Sequence, residues 1–92
     1  MTKSELVERL SLSNDELNKK EAELVVNTIF DSIGNALVGG DRVEIRGFGS
    51  FSIRLRDARE ARNPKSGEVV KIPRKKTPFF KTGKELRERV NS

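Results

Sequence analysis

Leu6, Val7 and Leu10 recur at three- and four-residue steps, with polar residues between them. That spacing lines the apolar side chains along one face of a helix. Thr2 and Glu5 have the Thr-x-x-Glu spacing of a capping box, which predicts a helix from about Lys3 to Leu10 or slightly beyond. Leu12 to Leu17 is polar and irregular and reads as a connection. Asn18 and Glu21 repeat the capping arrangement. Ala22, Val25, Val26, Ile29, Phe30, Ile33 and Leu37 then mark the apolar face of a longer amphipathic helix, which Gly39-Gly40 ends. Leu24 and Ala36 fall on its other faces, so this helix is expected to be covered on more than one side, as at a dimer interface.

The period then drops to two. Val43 and Ile45 alternate with Arg42, Glu44 and Arg46, which predicts a strand. Gly47-Phe48-Gly49 reads as a tight turn into a second strand, where Phe51, Ile53 and Leu55 alternate with Ser52, Arg54 and Arg56. The alternation fades after Asp57. Asn63-Pro64-Lys65-Ser66-Gly67 has turn chemistry, because Pro suits the first central position and Gly accepts a positive φ. Val70, Lys71 and Ile72 begin a return strand. Pro73 has no N–H to give a ladder and is expected at an edge or a bulge. Thr82-Gly83-Lys84-Glu85 suggests a third cap, before a short helix with Leu86 and Val90 on one face. Phe48, Phe51, Phe79 and Phe80 sit within apolar patterns and are read as core residues.

Charge changes this picture. Residues 54–76 hold nine Lys or Arg against three acids, a balance of +6, whereas residues 1–53 carry six against nine, a balance of −3. A basic hairpin on an acidic body suggests an arm that grips a polyanion, with double-stranded DNA the first candidate. A two-stranded ribbon is marginally stable alone, so this one is expected to be mobile until DNA orders it. The 92 residues make one domain (body 1–53, arm 54–76, C-terminal strand end and helix 77–92), and without the arm little chain is left to build a core. The chain has no Cys and no His, so neither a disulfide nor a zinc site can reinforce it. Association with another chain is the remaining remedy. No apolar run is long enough for a membrane span and no signal peptide precedes the first helix, which points to a soluble intracellular chain.

Chemistry of other kinds finds little support. Without His or Cys the usual acid–base and nucleophilic groups are missing, and no enzyme activity is expected. Gly83-Lys84 is followed by Glu85, so it is not a phosphate-binding loop, and no helix follows Gly47-Phe48-Gly49 to make a dinucleotide site. No cofactor is implied.

Three blocks then carry a resemblance that covers essentially the whole chain: Gly47-Phe48-Gly49-Ser50-Phe51, Arg62-Asn63-Pro64-Lys65-Ser66-Gly67, and Pro78-Phe79-Phe80-Lys81-Thr82-Gly83-Lys84-Glu85-Leu86. The chain resembles the bacterial histone-like family of HU and integration host factor. Glu44 to Phe51 looks most like the β-type subunit of integration host factor. The resemblance implies an α+β fold: an intertwined dimer with a helical base, an antiparallel β-sheet saddle and long protruding β-ribbon arms. It implies an architectural role in the nucleoid of the cytoplasm, with DNA bent from its minor groove. The partner subunit is either a second copy or a related α-type chain. Ala61 stands where the family usually has Gly, Thr82 where Pro is common, and Arg74-Lys75-Lys76 is more basic than in many relatives.

Site residues follow. Pro64 reads either as a turn proline or, by the resemblance, as a rigid wedge between base pairs. Arg54, Arg56, Arg59, Arg62, Asn63, Lys65, Lys71, Arg74, Lys75 and Lys76 would line the minor groove and its phosphates. A solvated ribbon that resists aggregation would use some of the same charges. The resemblance takes Arg46 into the minor groove, its orientation restrained by Glu44; a plain surface ion pair between the two is the alternative. Thr2, Lys3, Ser4, Lys81, Gly83 and Lys84 lie at or near helix N-termini, where free N–H groups make anion sites for flanking phosphates. An HU-like packaging protein with little sequence preference, a basic RNA-binding module and a protein-interaction module are the rival readings.

Overall fold

The computed structural model describes residues 1–92. Its fold is α+β, in the order α1 (Lys3–Ser13), α2 (Lys19–Val38), β1 (Val43–Ile45), β2 (Gly49–Arg56), β3 (Arg59–Arg62), β4 (Val69–Ile72), β5 (Lys75–Thr82) and α3 (Lys84–Val90). The chain divides into two units, Met1–Ala36 and Leu37–Ser92.

The first unit is helical, and its caps match the sequence pattern. The Thr2 hydroxyl accepts the Glu5 N–H at 3.2 Å. Helix α1 runs on through Leu12 to Ser13, past the point where polarity suggested a connection. The Ser13 hydroxyl there donates to the Leu10 carbonyl at 3.1 Å, which occupies one of the carbonyls of the last turn. Asn14 reverses the chain: its side chain accepts the Glu16 N–H at 3.0 Å and its carbonyl accepts the Leu17 N–H at 3.1 Å. Asn18 and Glu21 cap each other, with N–H to oxygen distances of 2.8 and 3.1 Å, and α2 starts at the next residue. Val7, Ala22 and Val26 form the buried core, with Leu6 and Leu10 packed against it. Leu24, Ile29 and Phe30 on α2 remain 66%, 51% and 52% exposed. Ile29 and Phe30, which the periodicity marked as interior, and Leu24, which lies on another face of α2, are therefore more than one chain covers.

The second unit is built on a three-stranded antiparallel sheet in the order β1-β2-β5. Strand β2 pairs with β5 from Gly49↔Thr82 to Arg56↔Lys75. A separate ladder joins β3 to β4 from Arg59↔Ile72 to Arg62↔Val69. The two ladders share one register, and the partner numbering passes from Arg56↔Lys75 to Arg59↔Ile72 without a slip. Asp57-Ala58 and Pro73-Arg74 lie between them and belong to neither strand pair. Pro73 has no N–H to donate across the ribbon, so the interruption falls at the residue that cannot continue it.

On one sheet face the Phe80 ring packs on Phe51 and Phe48, with centroids 4.8 and 5.4 Å apart. Gly49 makes room for this. A Cβ there would lie 2.5 Å from both the Lys81 carbonyl oxygen and the Phe80 ring. The expected cap at Thr82 does not form. Thr82 is the last residue of β5, held extended opposite Gly49, and Gly83 takes the N-cap position of α3 with no side-chain cap. Gly83 also donates its N–H to the Phe48 carbonyl at 2.8 Å, which ties the start of α3 to the Gly-Phe-Gly turn. That close backbone approach is why the junction falls on glycine: a Cβ on Gly83 would meet the Phe48 carbonyl at 3.2 Å. No helix is long and apolar enough to cross a membrane.

Candidate nucleic-acid interface

The register sorts the cations by face, because residues opposite each other in an antiparallel pair share a side and i, i+2 residues follow them. One side of the β2·β5 sheet carries Ser50, Ser52, Arg54 and Arg56 with their partners Lys81, Phe79, Thr77 and Lys75. The other side carries Phe51, Ile53 and Leu55 with Phe80, Pro78 and Lys76. Arg54, Arg56, Lys75 and Lys81 thus share one face, with Lys81 at the end away from Lys75, while Lys76 lies on the apolar side. In the distal ladder Arg62 and Lys71 share a face with Glu60 and Val69, and Arg59 lies on the other with Ala61, Val70 and Ile72. Arg74 falls in the gap between ladders.

These cations have no acid partners. The only ion pair of the chain is Arg42–Glu44, so Asp57, Glu60 and Glu68 neutralise no arm residue by contact. The arm's positive charge stays available to an external anion.

The distal end closes on itself. Asn63 donates its N–H to the Glu68 carbonyl at 2.8 Å, and its own carbonyl accepts the Gly67 N–H at 2.8 Å. The Asn63 side chain accepts the Lys65 N–H at 2.9 Å. Gly67 has φ of 73°, as the turn chemistry required. Every one of these bonds lies around Pro64, which is exposed and spared from donating because it has no N–H. Asn63 therefore shapes the tip, and Arg62 and Lys65 flank the proline.

Arg46 lies in the turn after β1. Glu44 does not hold it. Glu44 pairs instead with Arg42 at 2.9 Å, and Arg42 also reaches the Ser50 hydroxyl at 3.5 Å. Arg42 and Glu44 project from the same strand face two residues apart, while the turn carries Arg46 out of that alternation. Arg42, Arg46 and Lys81 nevertheless line one open concavity with Glu44, Ser50 and Gly83. In the sequence Arg42 stands in the same alternation as Glu44 and Arg46, but that pattern alone gave no reason to assign it to DNA; extending the β1·β2 register places it opposite Ser52, on the face that carries Arg54 and Arg56.

Phe79 also differs from its reading as core. It lies on the cationic side, half-buried, with the Arg54 guanidinium carbon 3.6 Å from its ring centroid. The reason is parity: Phe80 and Phe51 face one way, so Phe79 must face the other.

Thr2, Lys3 and Ser4 lie at the start of α1 in the first unit, where Lys3 donates to the Asn27 side chain at 2.8 Å. Lys81, Gly83 and Lys84 lie at the β5–α3 junction of the second.

A family model described as bacterial DNA-binding protein matches residues 1–91. Among solved structures, the chain is 42% identical to Anabaena HU in a cocrystal with DNA, over 98% of this chain and 97% of that one, with a TM-score of 0.89. It is 32% identical to HU from Thermotoga maritima over 98% of each chain, with a TM-score of 0.66. A mutant of transcription factor 1 shares the fold at 22% identity and a TM-score of 0.65, over 99% of this chain and 91% of that one.

Proposed function

Since the chain belongs to the bacterial DNA-binding protein family, we propose that it is an architectural protein that bends duplex DNA from the minor groove, in the manner of integration host factor. One observation carries this reading: an exposed proline stands at the apex of a self-closed hairpin whose cations have no acid partners. Arg62, Asn63 and Lys65 surround Pro64, so phosphate and groove-edge contacts would seat the tip while the ring wedges a base step apart. The cations occupy both faces of the ribbon, which suits a strand pair lying between the two phosphate walls of a groove. Anabaena HU, 42% identical, has been crystallised with DNA, which adds support.

The active unit in this reading is a dimer, either of two copies or with an α-type chain. The exposed Leu24, Ile29 and Phe30 support it, since each large apolar side chain taken from water contributes about 1.5–3 kcal/mol. The remaining arm and turn cations (Arg46, Arg54, Arg56, Arg59, Lys71, Arg74, Lys75 and Lys76) serve the groove and its phosphates. Thr2, Lys3, Ser4, Lys81, Gly83 and Lys84 serve flanking phosphates.

Pro64→Ala tests the wedge. Fluorescence transfer between the ends of a labelled duplex should report a smaller bend, with the salt dependence of binding nearly unchanged. A bend of the original size would remove intercalation from the mechanism.

A second reading is HU-like packaging with little sequence preference. It is favoured by the Arg42–Glu44 pair, which leaves Arg46 without a restraining acid. Site preference separates the two, because a groove-reading Arg46 requires affinity to differ between A-tract and random duplexes.

A further inference from the structure

We infer that Phe79 is a positioning residue for Arg54: its ring holds the guanidinium in place for a phosphodiester backbone, an assignment that rests on the DNA-binding reading above. Arg54 lies on the cationic face of the β2·β5 sheet, opposite Thr77. Phe79 is the next residue of β5 on that face, diagonal to Arg54 and opposite Ser52. The guanidinium carbon stands 3.6 Å from the ring centroid, inside the range where the negative face of an aromatic ring attracts a cation.

Neither residue has another reason for this arrangement. Phe79 is separated by the sheet from the Phe48, Phe51 and Phe80 cluster, and its neighbours on its own face are Ser52, Arg54, Thr77 and Lys81. Arg54 has no acid within ion-pair distance and donates no hydrogen bond to the protein. The ring is its one partner. An aromatic face restrains a guanidinium without consuming its N–H groups, because the attraction is to the charge and not to a donor. All five donors stay free for a phosphate oxygen. An unrestrained arginine loses rotamer freedom when it is ordered on a ligand, and one already held against a ring loses less. Phe79 therefore acts on DNA through Arg54.

The test is affinity for one fixed DNA duplex over a salt series, using the full chain in its assembled state. Phe79→Leu keeps an apolar side chain and removes the ring. Affinity should fall about two- to fivefold, with the slope of log affinity against log salt retained because the Arg54 charge remains. Phe79→Tyr keeps the ring and should bind within error of the wild type. Arg54→Ala should lower the slope magnitude by about 0.9, and adding Phe79→Leu to it should change nothing further. In NMR spectra, ring-current displacement of the Arg54 side-chain protons should persist in Phe79→Tyr and vanish in Phe79→Leu. The assignment is overturned if Phe79→Leu binds like the wild type, if Leu and Tyr weaken binding alike, or if the Leu effect survives on the Arg54→Ala background. If the wild-type chain shows no salt-dependent duplex binding, the DNA reading itself falls. Binding intact with an additive double mutant removes only the role of Phe79.

Discussion

At the scale of single residues, space and charge decide different things. Gly49 is fixed by space. Its φ is not in the left-handed region, yet a Cβ would meet the Lys81 carbonyl and the Phe80 ring at 2.5 Å, so the paired strand or the ring would have to shift. Gly49→Ala is expected to destabilise the fold by about 1–3 kcal/mol, the usual cost of overpacking. Thermal melting should show this as a lowered midpoint, and an unchanged midpoint would mean that the sheet relaxes around the methyl group. The Arg42–Glu44 pair is a matter of charge and behaves otherwise. Its side chains are 60% and 70% exposed, so water screens the attraction and Glu44→Ala should change stability by less than about 1 kcal/mol. Its consequence is for recognition. Arg46→Ala should narrow the affinity gap between A-tract and random duplexes in competition binding if Arg46 reads the groove, and leave the gap untouched if the protein only packages DNA.

At the scale of elements, the sequence was legible wherever a local rule acted alone. The Asn18–Glu21 cap was readable because both partners lie within one helical turn, and the same locality makes its energy separable. Asn18→Ala should lose about 1 kcal/mol in denaturant unfolding, with the slope against denaturant unchanged. The tip turn was readable for the same reason: Asn, Pro and Gly each impose one backbone preference. Thr82 was misread because its Thr-x-x-Glu spacing is also local, but pairing with Gly49, 33 positions away, claims it for a strand. The parity of Phe79 needed the register of β5, which the Pro78-Phe79-Phe80 run does not reveal. The division of the arm into two ladders was half legible. Pro73 announced a break, but its consequence, a gap of two residues on each strand with register kept, depends on the partner strand. Restoring the donor with Pro73→Val should join the ladders, and hydrogen exchange at the amides flanking the gap should slow. Exchange as fast as in the parent would place the cause of the gap in Asp57-Ala58 instead.

At the scale of the whole molecule, the imbalance between apolar residues and buried ones is the main physical fact. The periodicity of the helices needs an interior, and one chain buries only Val7, Ala22 and Val26. Phe30 illustrates the shortfall. At 52% exposure, truncating it in an isolated chain removes few contacts, whereas truncating a large aromatic in a filled interface typically costs about 3–5 kcal/mol. The two cases separate cleanly in solution. Sedimentation of the chain expressed alone should give twice the chain mass if the partner is a second copy, or a monomer that doubles only with an α-type chain. The melting midpoint of the assembled form should rise with protein concentration, because association stabilises the folded state by mass action. Phe30→Ala should lower that midpoint strongly and shift the association equilibrium toward single chains. A monomer whose melt is independent of concentration, and which tolerates Phe30→Ala, would show that the exposed face of α2 needs no covering. The bent-DNA reading would then have to be rebuilt around one arm, since gripping a duplex from two sides requires two.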